Sequence, residues 1–131
     1  IIQEHAWFGI NFGKPQRSKR LEVTRMAWGE WTRDGWIAPH NSWLHYIYRG
    51  GIVGILFIGF VLYVFIKSLR YFISHRNVVG VLLGSIIIYW FTIANFLVIF
   101  EFPYNAIPVW TLLGMMIAYS KHLSNIKTIK E

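Results

Sequence analysis

The sequence predicts an all-α polytopic membrane protein: about three transmembrane helices, preceded by an extracytoplasmic loop that carries a short surface helix. Two observations lead there. Apolar residues make up 55% of the 131-residue chain, and they gather in three runs nearly free of charge, each close to the ~20 residues that cross ~30 Å of hydrocarbon. The second observation is where the charge falls. A formal net charge of +7 would suit a nucleic-acid partner. Lys and Arg flank the apolar runs instead of covering a soluble face, however, so no nucleic acid is expected and membrane lipid is the better anionic partner. Absence of Cys excludes disulfides and thiolate metal sites without fixing a compartment. The chain begins at Ile1 rather than Met, so it is expected to be a fragment, inactive by itself.

Residues 1–41 read as the loop, and residues 42–131 as the transmembrane region with its tail. Gly9, Gly13 and Pro15 punctuate the start. From Lys19 to Trp31, the apolar residues Leu21, Val23, Met26, Ala27 and Trp31 keep a broken helical period, which gives the short surface helix. Trp7, Trp28, Trp31, Trp36 and Trp43 all precede the first span, and such rings favour the headgroup level, so the loop is expected to lie on the membrane.

The first span is expected from Trp43 to Ile66, opened by Asn41 or Ser42 as N-cap and bent at Gly50 and Gly51. Lys67, Arg70, His75 and Arg76 follow as a short polar connection. A second span runs from Val78 to Phe100, with Asn95 its only strongly polar side chain. A third runs from Phe102 to Ser120, interrupted by Pro103 and Pro108. Lys67, Arg70, Arg76, Lys121, Lys127 and Lys130 fall on one side of these spans, and the turn at residues 101–105 has no Lys or Arg. The tail is therefore expected in the cytoplasm and the His40 loop outside. The loop's own Lys14, Arg17, Lys19, Arg20, Arg25 and Arg33 run against that count, and phosphate binding would explain their retention.

On a helix opening at Asn41, the residues Asn41, His45 and Arg49 form a polar stripe with Ser42 beside it, while Trp43, Leu44, Ile47 and Gly51 make an apolar side. His40 precedes the stripe. A neutral imidazole can take a proton from a hydroxyl near neutral pH; equally, a histidine at a helix start can simply donate to a backbone carbonyl. His45 and Arg49 could reach a common polar cavity or act as anchors at the end of a span. Arg25 and Arg33, set among aromatic or apolar neighbours, are candidates for gripping a diphosphate, because guanidinium forks meet phosphate oxygens bidentately. The plainer reading of each is a solvated loop charge. Glu101 reads as an end-of-helix charge, or as a partner for Arg49. No metal cluster, phosphate-cradling Gly loop or nucleophile triad is present, and His40 and His45 stand five apart rather than four, so neither metal nor cofactor is expected.

Two of these stretches carry a family resemblance. The run Pro39-His40-Asn41-Ser42-Trp43-Leu44-His45-Tyr46-Ile47-Tyr48-Arg49-Gly50-Gly51, leading into an apolar span, resembles a signature of the O-antigen ligase and polymerase superfamily. Upstream, Ala6-Trp7-Phe8-Gly9-Ile10-Asn11-Phe12-Gly13 is similar to the family's Pro-Leu-Phe-Gly-Val-Gly-Phe-Gly element, which opens the large extracytoplasmic loop. Asn11 replaces a usual Gly, and Arg49 stands where the family often has an acidic residue.

The resemblance implies the C-terminal portion of a multi-pass glycosyltransferase of the bacterial inner membrane. It would move a glycan from a polyprenyl-diphosphate carrier to a hydroxyl of a glycan, lipid or protein acceptor, by metal-independent direct displacement. His40 would orient or deprotonate the acceptor, and Asn41 would fix the imidazole or a sugar. Arg25, Arg33, Arg49 and His45 would bind substrate, the arginines stabilising the departing diphosphate. Two alternatives stand beside it: an O-antigen or exopolysaccharide polymerase of the same superfamily, and a non-enzymatic membrane scaffold or transporter fragment. A transporter would more often carry ionisable residues or broken helices at mid-span, and only Asn95 comes close.

Overall fold

The computed structural model describes residues 7–9, 40–100 and 102–130, with side chains as far as residue 126. These residues are helical throughout apart from turns and one irregular loop, in the order α1 (Ser42–Ser74), α2 (Val78–Ile93) and α3 (Pro103–Lys130). The surface helix expected from Lys19 to Trp31 lies outside the described residues, as do Arg25, Arg33 and Glu101.

α1 starts where Asn41 sits in extended conformation and its side-chain oxygen accepts from the Leu44 N–H at 2.9 Å. That makes Asn41, not Ser42, the N-cap. The helix is broken at Gly51, whose φ of 56° and ψ of −136° fall in a region that only glycine enters without strain. The bend expected at the glycine pair is present. The single span from Trp43 to Ile66 is not, because residues 42–50 form a separate short helix, folded back so that the Tyr46 carbonyl lies directly against Gly54. The unbroken apolar helix is residues 52–74, about 34 Å long at 1.5 Å per residue. Lys67 and Arg70 thus belong to its last turns, not to a connection. α1 is long and apolar enough to cross a membrane, and only 22% of its most apolar stretch is buried, unlike the core helix of a soluble domain.

α1 ends in a tight turn. The Asn77 N–H donates to the Phe72 carbonyl at 2.9 Å and the Arg76 N–H to the Ile73 carbonyl at 3.1 Å, the bond pair that closes a helix when the residue after its C-cap turns left-handed. Glycine usually fills that position; here it is Arg76, with φ at 50°, a conformation that costs an L-residue roughly 1–2 kcal/mol. Asn77 then caps α2, accepting from the Gly80 N–H at 2.8 Å, and its amide nitrogen donates to the Tyr119 hydroxyl at 3.1 Å. Nearby, Ser120 Oγ donates to Ser68 Oγ at 3.2 Å. All three helices are tied together at this end.

The core between the helices is built from residues three, four or seven apart on each: Val61, Phe65 and Phe72 of α1, Ile87 and Phe91 of α2, Val109, Leu113 and Met116 of α3. That spacing puts each set on one helical face. The outside of the bundle is apolar as well, with Leu56, Phe60, Val78, Leu82 and Ile107 all more than half exposed.

α2 stops at Ile93, well short of Phe100, so the expected second span is too long. Asn95 follows the helix instead of lying within it. Its amide nitrogen donates to the Phe91 and Thr92 carbonyls at 2.9 and 3.3 Å, which satisfies acceptors that a helix end leaves without intrahelical partners. The 16 residues of α2 span about 24 Å, less than ~30 Å of hydrocarbon. α3 corrects the third run in the other direction, continuing past Ser120 to Lys130. Pro103 occupies its first position, where the missing N–H is not needed. Pro108 forfeits the bond to the carbonyl of Tyr104, a residue 89% exposed.

Candidate functional site

Three stretches converge at the kinked end of the bundle: the short helix of residues 42–50, the loop of residues 94–100 and the turn of residues 7–9. The kink explains the last of these. In an unbroken helix the Val53 N–H would donate to the Arg49 carbonyl; here the Trp7 carbonyl accepts it, at 3.4 Å. Gly9, at φ 60°, lies against the carbonyls of Tyr48 and Arg49, where any Cβ would collide. The two stretches that carry the family resemblance therefore meet at the Gly51 break.

The loop after α2 is organised by one hydroxyl. Ser42 is fully buried; its Oγ donates to the Leu97 carbonyl at 3.0 Å and accepts from the N–H groups of Ile99 and Phe100 at 2.7 and 3.3 Å. One donor and two lone pairs are all a serine hydroxyl has, so each is used. The Ser42 N–H adds a bond to the Ala94 carbonyl at 2.8 Å. Beside it, the Trp43 indole donates to the Phe91 carbonyl at 3.3 Å and packs edge-on against Phe91 and Phe100, with ring centroids 5.1 and 4.8 Å apart. Sequence reasoning missed Ser42, since a serine after an asparagine at a helix start signals only an alternative cap.

The polar stripe is partly as expected. His45 and Arg49 are bonded one turn apart, Arg49 Nε donating to His45 Nε2 at 2.9 Å. A guanidinium only donates, so the imidazole presents a lone pair at Nε2 and its proton sits on Nδ1. With that nitrogen occupied, it is not a free base. Neither side of the helix is wholly inside or outside: Ser42 and His45 are buried and Trp43 packs inward, while Leu44 is 47% exposed. Ser42 is drawn in by its bonds to the 94–100 backbone.

Asn41 has both ends of its amide engaged, Oδ1 as the cap and Nδ2 donating to the Asn95 carbonyl at 3.0 Å. It holds the helix start onto the loop. His40 is exposed, in a bend one residue before the cap. Below the site, between α1 and α2, runs an open groove of about 460 Å³ whose lining includes Trp43, Ile58, Leu62, Ile88 and Phe91, with Thr92 and Asn95 at one end. Among the described residues there is no Asp or Glu and no cluster able to hold a metal ion. Among the described residues this end thus offers an exposed histidine, a buried histidine bonded to the half-buried Arg49, and backbone dipoles. Comparison with protein-family models, curated proteins and solved structures finds no match.

Proposed function

We propose that this chain is the C-terminal portion of a multi-pass bacterial membrane glycosyltransferase of the O-antigen ligase type, moving a glycan from a polyprenyl-diphosphate carrier to an acceptor hydroxyl. The observation that carries the reading is the meeting of Trp7 and Gly9 with the Tyr48–Val53 backbone. Two stretches that are 40 residues apart in sequence, and that resemble the same family, belong to one local structure. The exposed apolar surface around the bundle supports a lipid environment. So does the loop of residues 94–100, since irregular backbone near hydrocarbon requires its polar groups to be satisfied inside the protein, as Ser42 satisfies them.

In the mechanism, the acceptor oxygen attacks the anomeric carbon, the bond from that carbon to the diphosphate oxygen breaks, and the diphosphate leaves with the electron pair. His40, exposed one residue before the Asn41 cap, takes the hydroxyl proton. Asn41 positions it by fixing the helix start. Arg49, with Arg25 and Arg33 from the preceding segment, offsets charge on the leaving group, and His45 orients the Arg49 guanidinium through their mutual bond. The kinked end faces outside; the turn end, with Lys67, Arg70, Arg76 and Lys121, faces the cytoplasm.

The test is glycan transfer measured in membranes of cells carrying substitutions in the chromosomal gene, normalised to protein level. His40→Ala should leave the protein level unchanged and lower transfer by about two to four orders of magnitude, the range for losing a positioned base. His40→Gln separates the roles, since an amide can orient a hydroxyl but cannot take its proton. Full transfer in a well-expressed His40→Ala protein removes His40 from the mechanism.

A further inference from the structure

We propose that the turn joining α1 to α2 binds the phosphodiester headgroup of an anionic phospholipid, with Arg76 at its centre. The proposal rests on the membrane reading above but not on glycan transfer. Its first support is conformational. The two backbone bonds of this turn ask nothing of the side chain at Arg76, and glycine would adopt φ 50° there without strain. An arginine held left-handed in an otherwise ordinary turn points to a use for its guanidinium.

The second support is convergence. The Ser68–Ser120 bond brings their chain neighbours Lys67 and Lys121 to one level of the bundle, and the Asn77–Tyr119 bond brings Arg76 to the same end. Lys67, Arg70, Arg76 and Lys121 are all exposed, and the described residues contain no Asp or Glu to neutralise them. The N-terminus of α2, capped by Asn77, adds its partial positive charge at the same place.

The third support selects the ligand. Ile66, Ile73, Val78 and Val79, immediately beside these cations, are 45 to 70% exposed. A free anion or an acidic polymer would leave them in water. A two-chain phospholipid covers them with its tails while its phosphate meets the guanidinium bidentately.

The experiment uses the full chain in detergent, with native mass spectrometry counting retained phosphatidylglycerol against phosphatidylcholine. Wild type should prefer phosphatidylglycerol. Arg76→Gly relieves the backbone conformation and so keeps the fold; it should lower that preference about fivefold, the contribution of one basic side chain near an anionic surface, with an unchanged or higher melting temperature. Arg76→Lys should retain only part of it, because an ammonium keeps the charge but lacks the bidentate fork. Equal preference in wild type and a folded Arg76→Gly overturns the proposal, and so does displacement of the lipid by millimolar inorganic phosphate, which would mark a site for soluble anions. A chain that enters micelles yet treats both lipids alike overturns this site only. A chain that stays soluble without detergent and retains neither lipid overturns the membrane reading with it.

Discussion

The two ends of the bundle solve the same problem, how to stop a helix and turn the chain, in opposite ways. At the turn end, α1 closes with a standard pair of backbone bonds and α2 begins after three intervening residues, under the Asn77 cap; nothing is irregular except the identity of Arg76. At the kinked end the helix breaks at Gly51, residues 97–99 are non-helical, and one buried hydroxyl, Ser42, gathers the loose backbone groups. Regular backbone needs little from any side chain, so an anomalous residue there stands out as an addition. Irregular backbone depends on particular side chains, so at the kinked end the structure rests on a few residues, Ser42 first among them.

That contrast predicts unequal sensitivity. Ser42→Ala should have the largest effect. It strips two buried N–H donors and one carbonyl of their partner at once, and at 1–3 kcal/mol for an unsatisfied buried group the loss should be about 3 kcal/mol. Thermal unfolding in detergent would show it, and a shift no larger than that of an exposed serine would mean that the loop does not depend on this hydroxyl. Asn77→Ala at the turn end should cost less, about 1 kcal/mol, for a lost cap and one lost bond to Tyr119. An Asn77→Ala loss exceeding that of Ser42→Ala would reverse the comparison.

Part of each end could be read from the sequence. The three helices follow from apolar runs at helical spacing, the cap from the pair Asn41 or Ser42, the break from the glycine pair, and the common stripe of His45 and Arg49 from residues four apart, though not their mutual bond. The end of α2 was hidden because Leu97, Val98, Ile99 and Phe100 prolong an apolar run while the chain is no longer helical there, Asn95 being the one local signal of a stop. α3 outruns its apolar stretch because Leu123, at helical spacing from Met116 and Tyr119, still packs against the core. Burial of Ser42 answers a demand from residues more than 50 positions away, which no local pattern encodes. The left-handed Arg76 was invisible for a different reason. Its neighbours contain no glycine, so the sequence offered a charged connection and no turn type.

The central claim is that the turn at Trp7–Gly9 and the break at Gly51 form one structure, and a cross-link tests it most directly. The chain has no cysteine, so a pair can be introduced without background. Trp7→Cys with Val53→Cys places thiols on residues whose backbone groups are 3.4 Å apart, within reach of the ~4.4–6.8 Å Cα separation a disulfide spans. Mild oxidation in membranes, followed by proteolysis and mass spectrometry, should recover the linked peptide in high yield. Trp7→Cys paired with Val78→Cys, at the other end of the bundle, should give almost none. Equal, low yields from the two pairs would contradict the account, because the two stretches would then share no site.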